Sequence, residues 1–176
     1  MMTRRSVLKW LHWMSLGLIL YFFLVEPDEN WVDPGLALAS HAGVGLMLAL
    51  VVLVWTVMTA TKGLAGRAGP KLPDWAKRFH RLNHRVLQIG LPVMVATGAL
   101  AGLLAPFAIK AFGLLQINPA AGSRSLHDLA QELHEIAFNA LLAVIVAHAL
   151  FHLWRHVLLK DNALRIMVPR VLHKYL

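Results

Sequence analysis

The sequence predicts an all-α integral membrane protein: a four-transmembrane-helix bundle with both termini in the cytoplasm. Three observations carry that expectation. Four apolar stretches are each long enough to cross a bilayer, basic residues fall almost wholly on one side of them, and histidines recur near and inside them. With 58% hydrophobic residues and a mean hydropathy of +0.60, the chain is too apolar for an ordinary soluble domain. A hydrocarbon core of about 30 Å needs about 20 apolar residues per helix. The spans are predicted at 7–25, 36–61, 86–106 and 129–159, in one membrane-embedded domain over 1–176.

The first span follows Arg4, Arg5 and Lys9, like the basic start of a signal peptide. No small-residue cleavage site comes after it, only Glu26-Pro-Asp-Glu-Asn-Trp, so a retained span is expected. Residues 26–34 then form an acidic external loop, and 62–85 a cytoplasmic loop with glycine and proline early and basic residues late. With the N-terminus inside, all but Lys110 and Arg124 of the 17 basic residues lie on the cytoplasmic side. That asymmetry is a positive-inside signal. The net charge of +8 therefore reports membrane topology and lipid contact, not nucleic-acid binding. The third span holds Pro92 and Gly98 but no histidine, and reads as packing scaffold. Within the external segment 106–125, residues 107–115 are amphipathic enough to lie along the outer interface. Trp10, Trp13, Trp154 and Tyr175 read as interfacial anchors.

There are ten histidines and no cysteine. Without cysteine, disulfides, iron–sulfur clusters, thiolate zinc sites and covalent c-type haem are excluded. Ionisable side chains within a bilayer are costly and usually functional. His134 and His148 are 14 residues apart on the last span, on one helical face and about 21 Å apart along the axis. Antiparallel threading puts His12 of the first span near the inner side and His41 of the second near the outer. Depth therefore pairs His12 with His148 and His41 with His134. Two bis-histidine metal centres stacked across the membrane follow, with two non-covalent b-type haems as the natural occupants. His152 competes with His148, since it also shares the face of His134, but its spacing of about 27 Å would consume nearly the whole core. Zinc or non-haem iron is the chemical alternative, although zinc favours tetrahedral clusters over separated pairs. A proton relay along His148, His152 and His156 is a further alternative. His80, His84, His127, His156 and His173 otherwise read as interfacial or hydrogen-bonded side chains.

Over almost its whole length the chain resembles the bacterial cytochrome b561 family, small four-span dihaem proteins of the inner membrane. The resemblance rests on Leu11-His12-Trp13, His41-Ala-Gly-Val-Gly, Leu91-Pro92-Val93 with Thr97-Gly98, Ala111-Phe-Gly-Leu, His134-Glu135 and His148. The charged stretch Lys160-Asp-Asn-Ala-Leu-Arg-Ile-Met-Val-Pro169-Arg170 is its most specific part. The resemblance implies two haems b with His12, His41, His134 and His148 as ligands. It also implies a superoxide oxidase-like activity, in which electrons from periplasmic superoxide cross the haems and reduce ubiquinone. An arginine expected just after the third span is absent here, where the chain reads Leu103-Leu-Ala-Pro-Phe-Ala-Ile-Lys, and Lys110 is expected to take its place. Lys110 and Arg124 are then the residues expected to steer superoxide, and His152, Arg155 and His156 those expected beside ubiquinone. The alternative is a membrane-anchor cytochrome b subunit that passes electrons between quinone and a separate redox partner protein, a dehydrogenase or hydrogenase.

This reading predicts that pyridine haemochromogen analysis of protein made under haem-replete conditions yields b-type bands at about two haems per chain. One haem, or none, contradicts it.

Overall fold

A computed structural model describes residues 3–25, 35–63, 69, 71–168 and 174. The expected acidic loop 26–34, residues 64–68 and 70 of the cytoplasmic loop, Pro169-Arg170, His173 and Tyr175 lie outside the described residues. Four helices are long and apolar enough to cross a membrane: α1 (Arg4–Leu24), α2 (Gly35–Lys62), α3 (Asp74–Leu103) and α4 (Arg124–Val157). A hairpin of β1 (Ala108–Ala111) and β2 (Leu115–Pro119) joins α3 to α4, and a short α5 (Ala163–Met167) follows. The end of the bundle where α1 begins and α4 finishes is called inner below, following the predicted orientation.

Local chemistry sets each boundary. Thr3 caps α1 by accepting a hydrogen bond from the Ser6 amide at 3.3 Å, satisfying one of the free amides of the first turn. α3 begins at Asp74, well before the expected 86, so much of the predicted cytoplasmic loop is helix. Pro73 precedes it, Asp74 sits in the first turn, and Lys77 pairs with Asp74 at 2.9 Å. The early start follows from packing. Leu72, Ala76 and Phe79 recur at helical spacing and cover Phe151 of α4. Lys77, Arg78, Arg81 and Arg85 interrupt the hydropathy of this turn-rich stretch without interrupting its apolar stripe.

The outer segment is a further correction. Most of residues 107–115, expected to lie along the outer interface, belong to an antiparallel hairpin in which Ala108 faces Pro119 and Ala111 faces Leu115. Ile109 and Ala111 point inward while Ala108 and Lys110 point out, the period of two that a strand requires. The turn between the strands runs through Phe112 and Gly113, both at positive φ. Asn118, only 2% exposed, fastens the hairpin to the bundle. Its amide donates to the Gly102 and Ala105 carbonyls at 3.1 and 2.7 Å, and its oxygen accepts from the Ala120 and Ala121 amides. The Phe112 amide donates to the Ala39 carbonyl at 2.8 Å, which lays the turn across the outer part of α2.

In the middle of the bundle Ile19, Leu48, Val52, Met94 and Leu141 form one buried apolar layer drawn from all four helices. α3 and α4 run in close backbone contact, whereas α4 makes scarcely any with α1 or α2. Packed helices normally lie about 8–10 Å apart, so α4 stands off from α1 and α2. At the inner end the chain folds back on α1. The Trp13 indole donates to the Met167 carbonyl at 2.9 Å, and Lys9 to the Val168 carbonyl at 3.1 Å. Trp13 is thus a tether for the tail, in addition to an interfacial ring.

Removing the Asn118 clamp strands buried carbonyls and amides. Asn118→Ala is expected to cost about 1–3 kcal/mol, read as a lower midpoint in thermal unfolding and faster proteolysis across the hairpin turn. An unchanged midpoint and unchanged cleavage would show that the hairpin is held by other contacts.

Candidate functional site: two facing histidine pairs

Two pairs of imidazoles face each other across the space where α4 stands off. His12 of α1 and His148 of α4 have ring centroids 6.4 Å apart, and His41 of α2 and His134 of α4 are likewise 6.4 Å apart. A ring nitrogen lies about 1.1 Å from its centroid, and metal–imidazole bonds are about 2.0–2.1 Å. Two imidazoles on opposite sides of one metal would therefore have centroids about 6.3 Å apart. Both pairs have that spacing. The apolar layer of Leu48, Val52, Met94 and Leu141 lies between them.

The neighbours of these rings fix their tautomers. His148 Nδ1 lies 2.8 Å from Asn83 Oδ1, and an amide oxygen only accepts, so Nδ1 carries the proton and Nε2 is the available ligand atom. His134 Nδ1 lies 3.1 Å from the Met94 carbonyl and 3.2 Å from Thr97 Oγ1, whose hydroxyl donates to the same carbonyl. His134 Nε2 is free in the same sense. Both supports come from α3, the helix expected to be scaffold alone. His41 Nδ1 is buried without a hydrogen-bond partner. Such a group carries a desolvation penalty of about 1–3 kcal/mol, which a bound cofactor can offset.

Small residues let the helices approach at these rings. A Cβ at Gly98 would lie 2.7 Å from His134 Cε1, so only glycine allows α3 to pass beside that ring. A Cβ at Gly43 would lie 2.5 Å from the Phe112 ring, so glycine also admits the hairpin turn two residues beyond His41. Phe22 stacks edge-on to His41 at 4.8 Å, and Trp55 lies 6.3 Å from His12. The donor set, the twin spacings and the unpartnered nitrogen fit a metal cofactor that a pair of imidazoles would hold.

The remaining expected site residues fall in three places. Lys110 is exposed on β1, and Arg124 is the first residue of α4. His152 lies beside His148 with rings 4.5 Å apart, and also touches His80 and His84. It does not face His12 among the described ring contacts; His148 does. Arg155 does not reach headgroups. It is 2% exposed and paired with Asp161, Nε donating at 2.8 Å and a terminal nitrogen lying 2.7 Å from the same oxygen. His156 Nδ1 is buried with no partner. His127, read from sequence as a boundary residue, lies 2.8 Å by Nδ1 from the Ala101 carbonyl beneath the hairpin.

Sequence reasoning missed Asn83 and Thr97. Asn83, Gly90 and Thr97 recur every seven residues, which places them on one face of α3. That small-and-polar stripe, running from the end of the predicted cytoplasmic loop into the third span, was the available signal, and its partners lie on α4.

The fold and site define a multi-pass membrane cytochrome. The sequence profile of the prokaryotic cytochrome b561 family matches residues 4–170, and the chain belongs to that family. It is 25% identical over 174 residues to cytochrome b561 homolog 1 of Escherichia coli strain K12, covering 92% of this chain and 94% of that protein. Membership brings b-type haem held by histidines and transmembrane electron transfer through it.

The α3 supports give a test at each depth. Loss of an outer-shell partner typically weakens metal binding by about 10–100-fold. Asn83→Leu is expected to lower haem retention at the inner pair by about that factor, while Gly98→Leu displaces His134 and empties the outer pair. Optical spectra during a redox titration separate the two. Loss of both haems together in either variant would mean that these contacts support the whole bundle instead of one pair.

Proposed function

We propose that this protein is a superoxide:ubiquinone oxidoreductase of the bacterial inner membrane, with two haems b and both termini in the cytoplasm. The observation that carries the proposal is the pair of equal ring separations at two depths: His12 with His148 as inner ligands, His41 with His134 as outer ligands. Bound there, haem supplies one-electron carriers at both depths of the membrane. Each superoxide gives up one electron and leaves as dioxygen. Two such electrons and two protons convert ubiquinone to ubiquinol, so two superoxide anions are consumed per quinone.

The chain's own residues define the two ends of that path. Lys110 and Arg124 provide positive charge in the hairpin segment above His41 and His134, which favours approach of a small anion. The hairpin shields the outer pair from bulk water, and Phe112 seals it against Gly43. Outer-sphere transfer of one electron needs close approach and a favourable potential; no acid–base dyad is required. At the inner end, the buried unpartnered Nδ1 of His156 supports its role as hydrogen-bond donor to a quinone carbonyl. His152 lines the approach. Arg155 is committed to Asp161 and acts by holding the end of α4 in place. Lipid surrounds the apolar outer faces and is the medium from which quinone enters.

Two measurements test the two ends. Stopped-flow reduction of the oxidised haems by superoxide is expected to slow with rising ionic strength and in a Lys110→Glu, Arg124→Glu double variant. Charge steering is screened over about 8 Å at physiological salt, so a rate indifferent to both salt and charge reversal defeats the steering role. No haem reduction at all favours a membrane-anchor subunit that serves a separate dehydrogenase or hydrogenase. His156→Phe is expected to slow quinone reduction while both haem spectra stay intact, and unchanged turnover moves the quinone site elsewhere.

A further inference from the structure

Beside the inner pair lies a histidine cluster of which the proposed electron path uses one member, His152, as lining of the quinone approach. His80 and His84 are four residues apart on α3, and both turn toward His152 of α4. One ring nitrogen from each lies within 4.8 Å of the other two. We propose that His80, His84 and His152 bind a single divalent transition-metal ion of the zinc class.

Three observations carry this inference. The first is spacing. Three imidazoles on a tetrahedral metal, at about 2.0–2.1 Å from it, have centroids about 5 Å apart. The observed separations are 4.4, 5.7 and 5.8 Å. The second is the state of the nitrogens. His84 Nε2 and His152 Nε2 are both buried and make no hydrogen bond. Neutral imidazoles at this distance would gain by sharing a proton between rings, and these do not. Two buried, unpartnered ring nitrogens in a cluster of three imidazoles are better matched by a cation than by each other. The third is sequence geometry. An i, i+4 histidine pair on one helix, completed by a ligand from a neighbour, is the spacing that metal-binding helices use.

The electrostatics are permissive. The Arg155 guanidinium, three residues beyond His152, is paired with Asp161 at 2.7 Å, which offsets part of its positive charge at the cluster. Imidazole donors without thiolate or carboxylate suit zinc, copper and nickel over magnesium or calcium. His84 and His152 are only partly buried, which leaves a route for the ion. The site adjoins the inner pair: the His84 and His152 rings lie 4.9 and 4.5 Å from that of His148, while His80 touches His84, His152 and Phe151 on the far side. Zinc binding is read by metal analysis and not by turnover, so it is tested apart from the superoxide and quinone reading.

The test uses untagged, haem-loaded protein in detergent, stripped with chelator and dialysed against buffered zinc. Metal analysis is expected to return one zinc per chain, and X-ray absorption at the zinc edge to show three imidazole nitrogens at about 2.0–2.1 Å. His80→Ala should abolish that zinc while retaining both haem bands, which report an intact bundle. His127→Ala, at the opposite end, should leave zinc unchanged. Absence of zinc in the wild type, or retention of zinc in both His80→Ala and His84→Ala, overturns the proposal. If an alanine variant loses haem, His80→Gln takes its place and is read the same way.

Discussion

An imidazole inside a hydrocarbon layer is costly unless its ring nitrogens find partners, and that cost organises much of the bundle. α4 carries two such rings separated by 14 residues, and helical rise fixes their depths about 21 Å apart. Nothing in α4 itself can satisfy them. The facing helices present His12 and His41 at the same two depths, with ring centroids 6.4 Å from those of His148 and His134. The other nitrogen of each α4 ring turns to α3, where Asn83 and the Met94 carbonyl accept. α3 thus lies close against α4, with Gly98 admitting the His134 ring, while α1 and α2 keep their distance. Close packing on one side and separation on the other follow from the same need.

The two ends of the bundle are built differently. The outer end is closed by a short hairpin fastened through Asn118 and the Phe112–Ala39 backbone bond. The inner end is dense in imidazoles and is braced by the Arg155–Asp161 pair and the Trp13–Met167 bond. Asp161 also accepts from the Ala163 amide at 2.9 Å, so one carboxylate joins the end of α4 to the start of α5. The charged stretch after the last span is therefore structural as well as recognisable. It anchors the helix that carries two of the four paired histidines, His134 and His148.

Much of this arrangement was legible in the chain. Hydropathy located the four spans, and the spacing of His134 and His148, combined with antiparallel threading, identified which rings come together. What escaped was whatever depended on a second element. The α3 helix starts early because Leu72, Ala76 and Phe79 meet Phe151, a contact hidden beneath four basic residues. The hairpin escaped because Phe107, Ile109 and Leu115 suit an amphipathic helix and a strand about equally well; Asn118, buried against α3, selects the strand. Asn83 and Thr97 looked like ordinary polar interruptions until α4 was set beside them. His80 and His84 each resembled a boundary residue, and only the register of α3 against α4 brings His152 to them.

The central claim is that the four histidines act as two depth-matched pairs, and single alanine variants test it most directly. Each of His12, His41, His134 and His148 is replaced in turn, and haem content and redox-resolved spectra are recorded. The account predicts that His12→Ala and His148→Ala lose the same haem and keep the other, while His41→Ala and His134→Ala show the complementary loss. If His12→Ala and His134→Ala lost the same haem, the pairing by depth would be contradicted.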